Sequence, residues 1–248
     1  MAFTVTLTAA ATRPLTKNLQ AALPHYRVVG APVTRSLPVS PPQLPTYWQR
    51  LQRGEYSWAV ITSARTVKYL QQLLAASPPL TMFPPVAAVG KASAQAASRA
   101  GWNVTLQAGG NATDLACRFA DLIPEEPSLG RIFLPGSALS KPDLPAALSK
   151  LGYQVDICPL YTMAPVSACP EEYFRADAVA VTSGSNLRAL VDFGVFSSAA
   201  CARALPHLIC IGEPSAQVAR DLGLAVSAVA QTPDAGGLAA ALRSCLER

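Results

Sequence analysis

The chain has 248 residues, half of them hydrophobic and 14% charged, with a formal net charge of +5. That is enough for one large or two modest domains, too apolar for intrinsic disorder, and without any apolar run near the ~18 residues a membrane helix needs. The basic residues are well separated, which argues against nucleic acid and suits a polyanionic small molecule equally well.

The N-terminus, Met1 to Leu7, has no basic segment ahead of an apolar one and reads as a strand rather than a signal peptide. The six cysteines, at 117, 158, 169, 201, 210 and 245, contain no C-x-x-C pair. The two histidines, His25 and His207, have no carboxylate close in sequence. A metal centre, a disulfide framework and a catalytic triad are therefore not expected, and a reducing cytoplasm is the default compartment.

In chain order, residues 5–8 read as a strand and 9–12 as a small-residue loop, and Arg13-Pro14 opens a helix to about residue 23. A strand at 27–29 leads to an outward crossing over residues 31–36, a Pro-rich stretch at 38–45 and a helix at 47–53 ended by Gly54. Then strands at 58–61, 86–89, 103–106, 131–134 and 154–157 alternate with helices at 64–74, 91–100, 113–123 and 140–151. A return crossing over 158–163 carries Tyr161. Beyond it, strands at 178–181, 207–211 and 225–228 alternate with helices at 185–193, 213–222 and 236–246. Short apolar strands alternating with helices imply parallel sheets covered on both faces.

The segment from Trp58 through Thr62-Ser63 to Val67 repeats at Ala178 through Thr182-Ser183 to Leu187, an offset of 120. The segment Val86 to Gln95, with Gly90 and Ser93, repeats at Leu208 to Gln217, with Gly212 and Ser215, an offset of 122. The strand–helix–strand at 132–157 echoes the one at 5–29. The chain thus holds two copies of one five-strand unit, the second interrupted by the first. This predicts a discontinuous domain, 1–34 with 164–248, an inserted domain, 35–163, and linker strands at 31–36 and 158–163. Two antiparallel crossings between two lobes would set Tyr161 at the mouth of an interlobe cleft.

Ser63, Ser93, Ser183 and Ser215 fall at C-terminal ends of parallel strands and at helix N-termini. There, free N–H groups and the positive end of the helix dipole attract anions. Each hydroxyl equally suits a plain helix cap. Arg13, Arg65, Lys91, Lys141 and Arg188 stand at the same strand ends, and Arg35 on the crossing. Each alone is an ordinary surface charge, but spread round a cleft they suit a ligand with several separated carboxylates. No G-x-G-x-x-G or G-x-x-x-x-G-K-[ST] pattern is present, which disfavours a nucleotide-using flavodoxin-like enzyme. No paired carboxylates occupy strand ends for acid–base work.

Taken in order, Thr12-Arg13-Pro14, Trp58 with Thr62-Ser63, Ala88-Val89-Gly90 with Ser93-Ala94, Leu160-Tyr161-Thr162, Val181-Thr182-Ser183 and Ile211-Gly212 with Ser215-Ala216 resemble the uroporphyrinogen-III synthase family over nearly the whole chain. The loop lengthened by Ala9, Ala10 and Ala11, and Gly136-Ser137-Ala138 in place of a frequent Arg-Gly, depart from the family pattern. The resemblance implies two flavodoxin-like α/β lobes with parallel sheets, joined by a two-stranded β-ladder. It implies a monomer without a cofactor that binds hydroxymethylbilane, a linear tetrapyrrole with eight carboxylates, after a possible transient hand-over from hydroxymethylbilane synthase. It places Tyr161 at the departing hydroxyl. For the acetate and propionate arms it implies Arg13, Ser63, Arg65, Gly90, Lys91, Ser93, Ser137, Lys141, Ser183, Gly184, Ser185, Gly212 and Ser215. The competing reading is a non-enzymatic two-lobe binding or sensor module. It would hold its ligand unchanged, where a synthase releases a macrocycle.

Overall fold

The computed structural model describes residues 3–10, 13–80, 82–122, 130–197 and 204–247. Thr12, Cys201 and the expected helix end at residue 123 lie outside them. The chain forms two compact units, Met1–Arg35 with Ala164–Arg248, and Ser36–Met163.

The first unit is a parallel sheet of β1 (Thr4–Leu7), β2 (Arg27–Gly30), β9 (Ala178–Val181), β10 (His207–Cys210) and β11 (Ala228–Val229), in the order β11-β10-β9-β1-β2. Alternate residues feed opposite faces, as the period of two requires. Val5, Leu7, Ala178, Ala180 and Ile209 meet helices α1 (Pro14–Ala22) and α9 (Ala235–Leu246). Val179, Val181, Leu208 and Cys210 meet α7 (Gly184–Asp192) and α8 (Glu213–Asp221). A short 3-10 turn, Glu171–Arg175, buries Tyr173, whose hydroxyl donates to the Ala31 carbonyl.

The second unit holds the order β3-β8-β7-β4-β5-β6, formed by β3 (Thr34–Pro38), β4 (Tyr56–Ile61), β5 (Val86–Ala88), β6 (Val104–Gln107), β7 (Arg131–Ser137) and β8 (Gln154–Pro165). Ala59, Ile61, Val86 and Phe133 pack under α2 (Leu44–Gln52), α3 (Ala64–Ala75) and α4 (Lys91–Arg99). Val60, Ala87, Ile132 and Leu134 pack under α5 (Ala112–Ala120) and α6 (Asp143–Lys150). Burying each large apolar side chain contributes about 1.5–3 kcal/mol, so packing helices on both sheet faces gives each unit a core of its own.

Several boundaries differ from the sequence expectation, and four of them have a clear local reason. The strand at 154–157 and the return-crossing strand at 158–163 are one element, β8, which runs unbroken from Gln154 to Pro165. Pro159 is tolerated opposite Gly136, and the Leu160 carbonyl accepts the Val39 N–H at 2.9 Å. The Val166 N–H donates to the Val33 carbonyl at 3.0 Å. Those two bonds join residues whose numbers run oppositely, so β3 and β8 are antiparallel. Helix α2 starts at Leu44, three residues early, because Pro45 suits a first turn. Helix α6 starts at Asp143 rather than 140, because Pro142 pushes the residue before it out of the helical region. Strand β11 begins at Ala228 rather than 225, because the Ser227 hydroxyl takes the Leu208 N–H at 3.2 Å before the ladder starts.

Candidate functional site

Strand β4 ends at Ile61, and Ser63 caps α3 in extended conformation, its Oγ accepting the Arg65 N–H at 3.2 Å. Ser183 does the same for α7, accepting the Asn186 N–H at 3.3 Å and meeting Ser185 Oγ at 3.0 Å. Both serines are therefore caps. Ser63, accepting through its oxygen, still has its own O–H to donate to a carboxylate; of the Ser183 and Ser185 hydroxyls one donates to the other, and the second O–H is left to donate outward.

The glycine caps leave more donors open. In α4 the first intrahelical bond runs from the Ala94 N–H to the Gly90 carbonyl at 3.0 Å. The N–H groups of Lys91, Ala92 and Ser93 are left without helical partners, and Lys91 is exposed beside them. In α8, Pro214 has no N–H, Ser215 gives its own to the Gly212 carbonyl at 3.1 Å, and the exposed Glu213 opens the helix. Its carboxyl is held below the usual range by the Arg220 guanidinium, 2.6 Å away. Gly184 and Gly90 answer to packing as well. A Cβ on Gly184 would lie 2.7 Å from Val218 Cγ2, and one on Gly90 would lie 3.1 Å from the Gly110 Cα.

Tyr161 sits where β8 is irregular. Pro159 pairs with Gly136 but Tyr161 pairs with the next residue, Ser137, so Leu160 is the extra residue of a β-bulge. Before the bulge, Cys158 faces the α3 side and Ile157 and Pro159 the other. The bulge turns Tyr161 onto the same face as Cys158 and Leu160, where it is 4% exposed. Its ring stacks on Tyr69 with centroids 4.9 Å apart and planes 16° apart, and Arg65 Cζ lies 5.9 Å from its centroid. Arg65 Nη1 donates to Met163 Sδ at 3.4 Å, and the Ala138 N–H donates to the Tyr161 carbonyl at 2.7 Å. The Tyr161 hydroxyl has no hydrogen bond among the described residues.

On the opposite face of β8 lies a pocket of about 240 Å³, lined by Thr62, Ser137, Ser140, Lys141, Ile157 and Pro159 among others. Its walls are largely proline and aliphatic, with hydroxyls and one ammonium around them. Ile157, 49% exposed, and Leu139, 65% exposed, leave apolar surface in this part of the unit.

In the first unit the repeat is built differently. The Thr8 and Thr182 hydroxyls lie 3.0 Å apart, and Asn186 Nδ2 donates to both, at 3.2 and 3.0 Å. The Thr34 hydroxyl donates to Asn186 Oδ1 at 2.9 Å. In the second unit Thr66 stands at the place of Asn186, buried with its Oγ1 unpaired, and Thr62 borders the pocket instead. The internal repeat thus uses these polar groups to tie down Thr34 in one copy, while in the other Thr66 is sealed without a partner among the described residues and Thr62 faces the pocket.

The family model for "Uroporphyrinogen-III synthase HemD" matches residues 20–240. The chain belongs to the uroporphyrinogen-III synthase family. Family members are cyclising lyases of tetrapyrrole biosynthesis, and the function of the chain is to close hydroxymethylbilane to uroporphyrinogen III with inversion of ring D and loss of water. Among solved structures, the uroporphyrinogen-III synthetase of Helicobacter pylori 26695 is 15% identical, with 100% of this chain and 99% of that one covered and a TM-score of 0.68. A mutant uroporphyrinogen III synthase of the extremely thermophilic bacterium Thermus thermophilus is 19% identical, with 99% of each chain covered and a TM-score of 0.60. At these identities the likeness shows the fold. No curated protein matches the chain in sequence. No helix among the described residues is long and apolar enough to cross a membrane.

For a uroporphyrinogen-III synthase, the residues singled out in the sequence fall into separate groups. Ser63, Arg65 and Tyr161 come together at the start of α3. Ser137 and Lys141 share the pocket. Gly90, Lys91 and Ser93 open α4, and Ser183, Gly184 and Ser185 open α7. Gly212 and Ser215 open α8, and Arg13 is the exposed N-cap of α1. Sequence reasoning passed over Tyr69, Met163 and Asn186. Tyr69 was within reach of it, since a residue four places after Arg65 on a helix shares its face.

Proposed function

We propose that Tyr161 is the group that meets the departing hydroxyl of hydroxymethylbilane, with the strand-end hydroxyls, helix N-termini and cations holding the carboxylate arms. The observation that carries this reading is the Tyr161 phenol itself. Its ring is stacked on Tyr69, and its hydroxyl has no hydrogen bond among the described residues. A hydroxyl in that condition is free to donate a hydrogen bond to an incoming oxygen. As the C–O bond breaks, the hydroxyl leaves with a proton as water and the substrate becomes an azafulvene cation. The substituted carbon of ring D attacks it, and the spiro intermediate fragments and recloses with that ring inverted. The last proton leaves as the macrocycle regains its pyrroles, so the balance is one substrate to one product and one water.

The electron-rich pyrroles supply the driving force, and the protein holds the two ends together and keeps out unassisted head-to-tail closure. Lys91 with the open N–H groups of α4, and Ser63 with its free O–H, are the best-equipped carboxylate holders. Lys141, Ser137, Ser183, Ser185, Ser215 and Arg13 fill lesser parts. The pocket beside Lys141 and Ser137 suits one flat ring with a carboxylate reaching the ammonium. The two units act as the two domains of a cytoplasmic monomer that takes its unstable substrate by brief hand-over from hydroxymethylbilane synthase.

The test is incubation with freshly generated hydroxymethylbilane, oxidation and separation of the uroporphyrin isomers. The wild-type protein is expected to give a type III excess, and Tyr161→Phe to give it more slowly. Type I alone at the spontaneous rate, from folded protein, would sink the activity.

A further inference from the structure

We infer that Arg65 is a positioning residue that acts through Tyr161, rather than one more cation for the substrate's carboxylates. This rests on Tyr161 being the group at the departing hydroxyl. The contacts that carry it lie within the second unit. The guanidinium carbon is 5.9 Å from the centre of the Tyr161 ring, inside the range of a cation–π attraction. Its Nη1 reaches Met163 Sδ at 3.4 Å. Met163 lies two residues beyond Tyr161, on the same side of β8, so one guanidinium touches both residues that the bulge has turned inward. One helical turn from Arg65, Tyr69 stacks on the same ring.

The phenol needs this help because no hydrogen bond among the described residues sets the direction of its hydroxyl. The Ala138 N–H fixes the Tyr161 backbone but does not itself set the direction of the ring. Tyr69 gives the ring a flat neighbour, which limits tilt, and Arg65 adds a charge whose attraction depends on where the ring face points. Arg65 differs in setting from the other cations singled out in the sequence. Arg13, Lys91 and Lys141 are exposed, whereas Arg65 is half-buried against an aromatic ring and a thioether. A guanidinium waiting for a solvent-borne carboxylate has no reason to adopt that posture. Among the described residues it pairs with no carboxylate.

The test is a kinetic cycle of wild type, Arg65→Gln, Tyr161→Phe and the double variant, with Arg65→Lys added and the near-ultraviolet circular dichroism of each recorded. Arg65→Gln is expected to lower kcat about tenfold with KM within about twofold, the signature of a misplaced group rather than a lost binding contact. Added to Tyr161→Phe it is expected to cause no further loss. Arg65→Lys, which keeps a cation near the ring but loses the planar fork, should recover part of kcat. The tyrosine dichroism should change in Arg65→Gln and return toward wild type in Arg65→Lys.

A raised KM with kcat intact would overturn the inference and make Arg65 a carboxylate ligand. Losses that multiply in the double variant would overturn it by showing action independent of Tyr161. Full activity in Tyr161→Phe would remove the group through which Arg65 is held to act. Failure of the parent reading is separable, because it appears in the wild-type isomer assay before any variant is made. If Arg65→Gln does not fold, the same cycle run with Arg65→Lys decides by the same criteria.

Discussion

Lys91 and Glu213 occupy one position in the two copies of the repeat, the first helical residue after a strand-ending glycine, and carry opposite charges. The helix dipole favours an anion at both places, but only α4 adds a cation and three open N–H groups to it. At α8 an anion is already present, and its salt bridge to Arg220 occupies it. Lys91→Glu, which copies the α8 arrangement into α4, is expected to raise the KM for hydroxymethylbilane by about tenfold. Glu213→Ala is expected to leave KM within about twofold. Steady-state kinetics on both variants decide the matter, and equal effects would mean that the helix ends contribute alike.

Ser63 and Ser183 serve their helices whether or not they serve the substrate. Removing either cap is expected to cost about 1 kcal/mol of stability, read as a lowered denaturant midpoint with an unchanged slope. Ser63→Ala should also raise KM more than it lowers kcat, because the O–H that the cap leaves free is lost as well. Ser183→Ala should raise KM less, since Ser185 Oγ lies 3.0 Å away and supplies a second hydroxyl. Equal losses in kcat and kcat/KM at Ser63 would instead place that hydroxyl in the transition state.

Alternation of short apolar strands with helices is a property of local sequence, so the two largely parallel sheets were legible before any coordinates. So were the caps at Ser63 and Ser183, because a serine between a strand and a helix suits the N-cap whatever else its hydroxyl does. What escaped was what depends on neighbours distant in sequence. Pro159 looks like a strand breaker, yet it pairs opposite Gly136 inside a twelve-residue strand. The side on which Tyr161 points is set by one extra residue, Leu160, relative to β7, and no period read along β8 alone reveals it. The matched repeat likewise concealed that Asn186 and Thr66, at equivalent places, do different work: one ties Thr34 down and the other has no partner.

The base of the second unit is held by a carboxylate with three donors. Asp156 on β8 accepts Arg50 Nη1 at 2.6 Å, the Tyr56 hydroxyl at 2.8 Å and Arg131 Nη1 at 2.9 Å, joining α2, β4 and β7 to β8. Tyr56 is the buried donor of the three, at 5% exposure. Tyr56→Phe keeps the ring and its contact with Phe133, 5.2 Å between centroids, and deletes one hydrogen bond to a charged acceptor. The expected cost is about 1.5–3 kcal/mol, measured by urea unfolding, with kcat and KM close to wild type. A cost near zero would mean that the two arginines suffice.

Cys158 lies three residues before Tyr161 on β8, and burial, with Asp156 adding to it, pushes its thiol up to about 12. Burial likewise raises Cys210 to about 11, while Cys117 is exposed. At pH 8 Cys158 is therefore ionised only on the order of once in ten thousand and Cys210 on the order of once in a thousand, and thiolate is the form that reacts. In folded protein at pH 8, iodoacetamide is therefore expected to modify Cys117 and to spare Cys158 and Cys210, as read by peptide mass spectrometry. The sign of the pH effect follows from the raised values. Labelling of the two buried thiols should climb only as pH approaches their own range, or at once when denaturant is added. Early modification of Cys158 in the native protein would mean that this part of β8 opens readily, and the fixed ring of Tyr161 would then need another support.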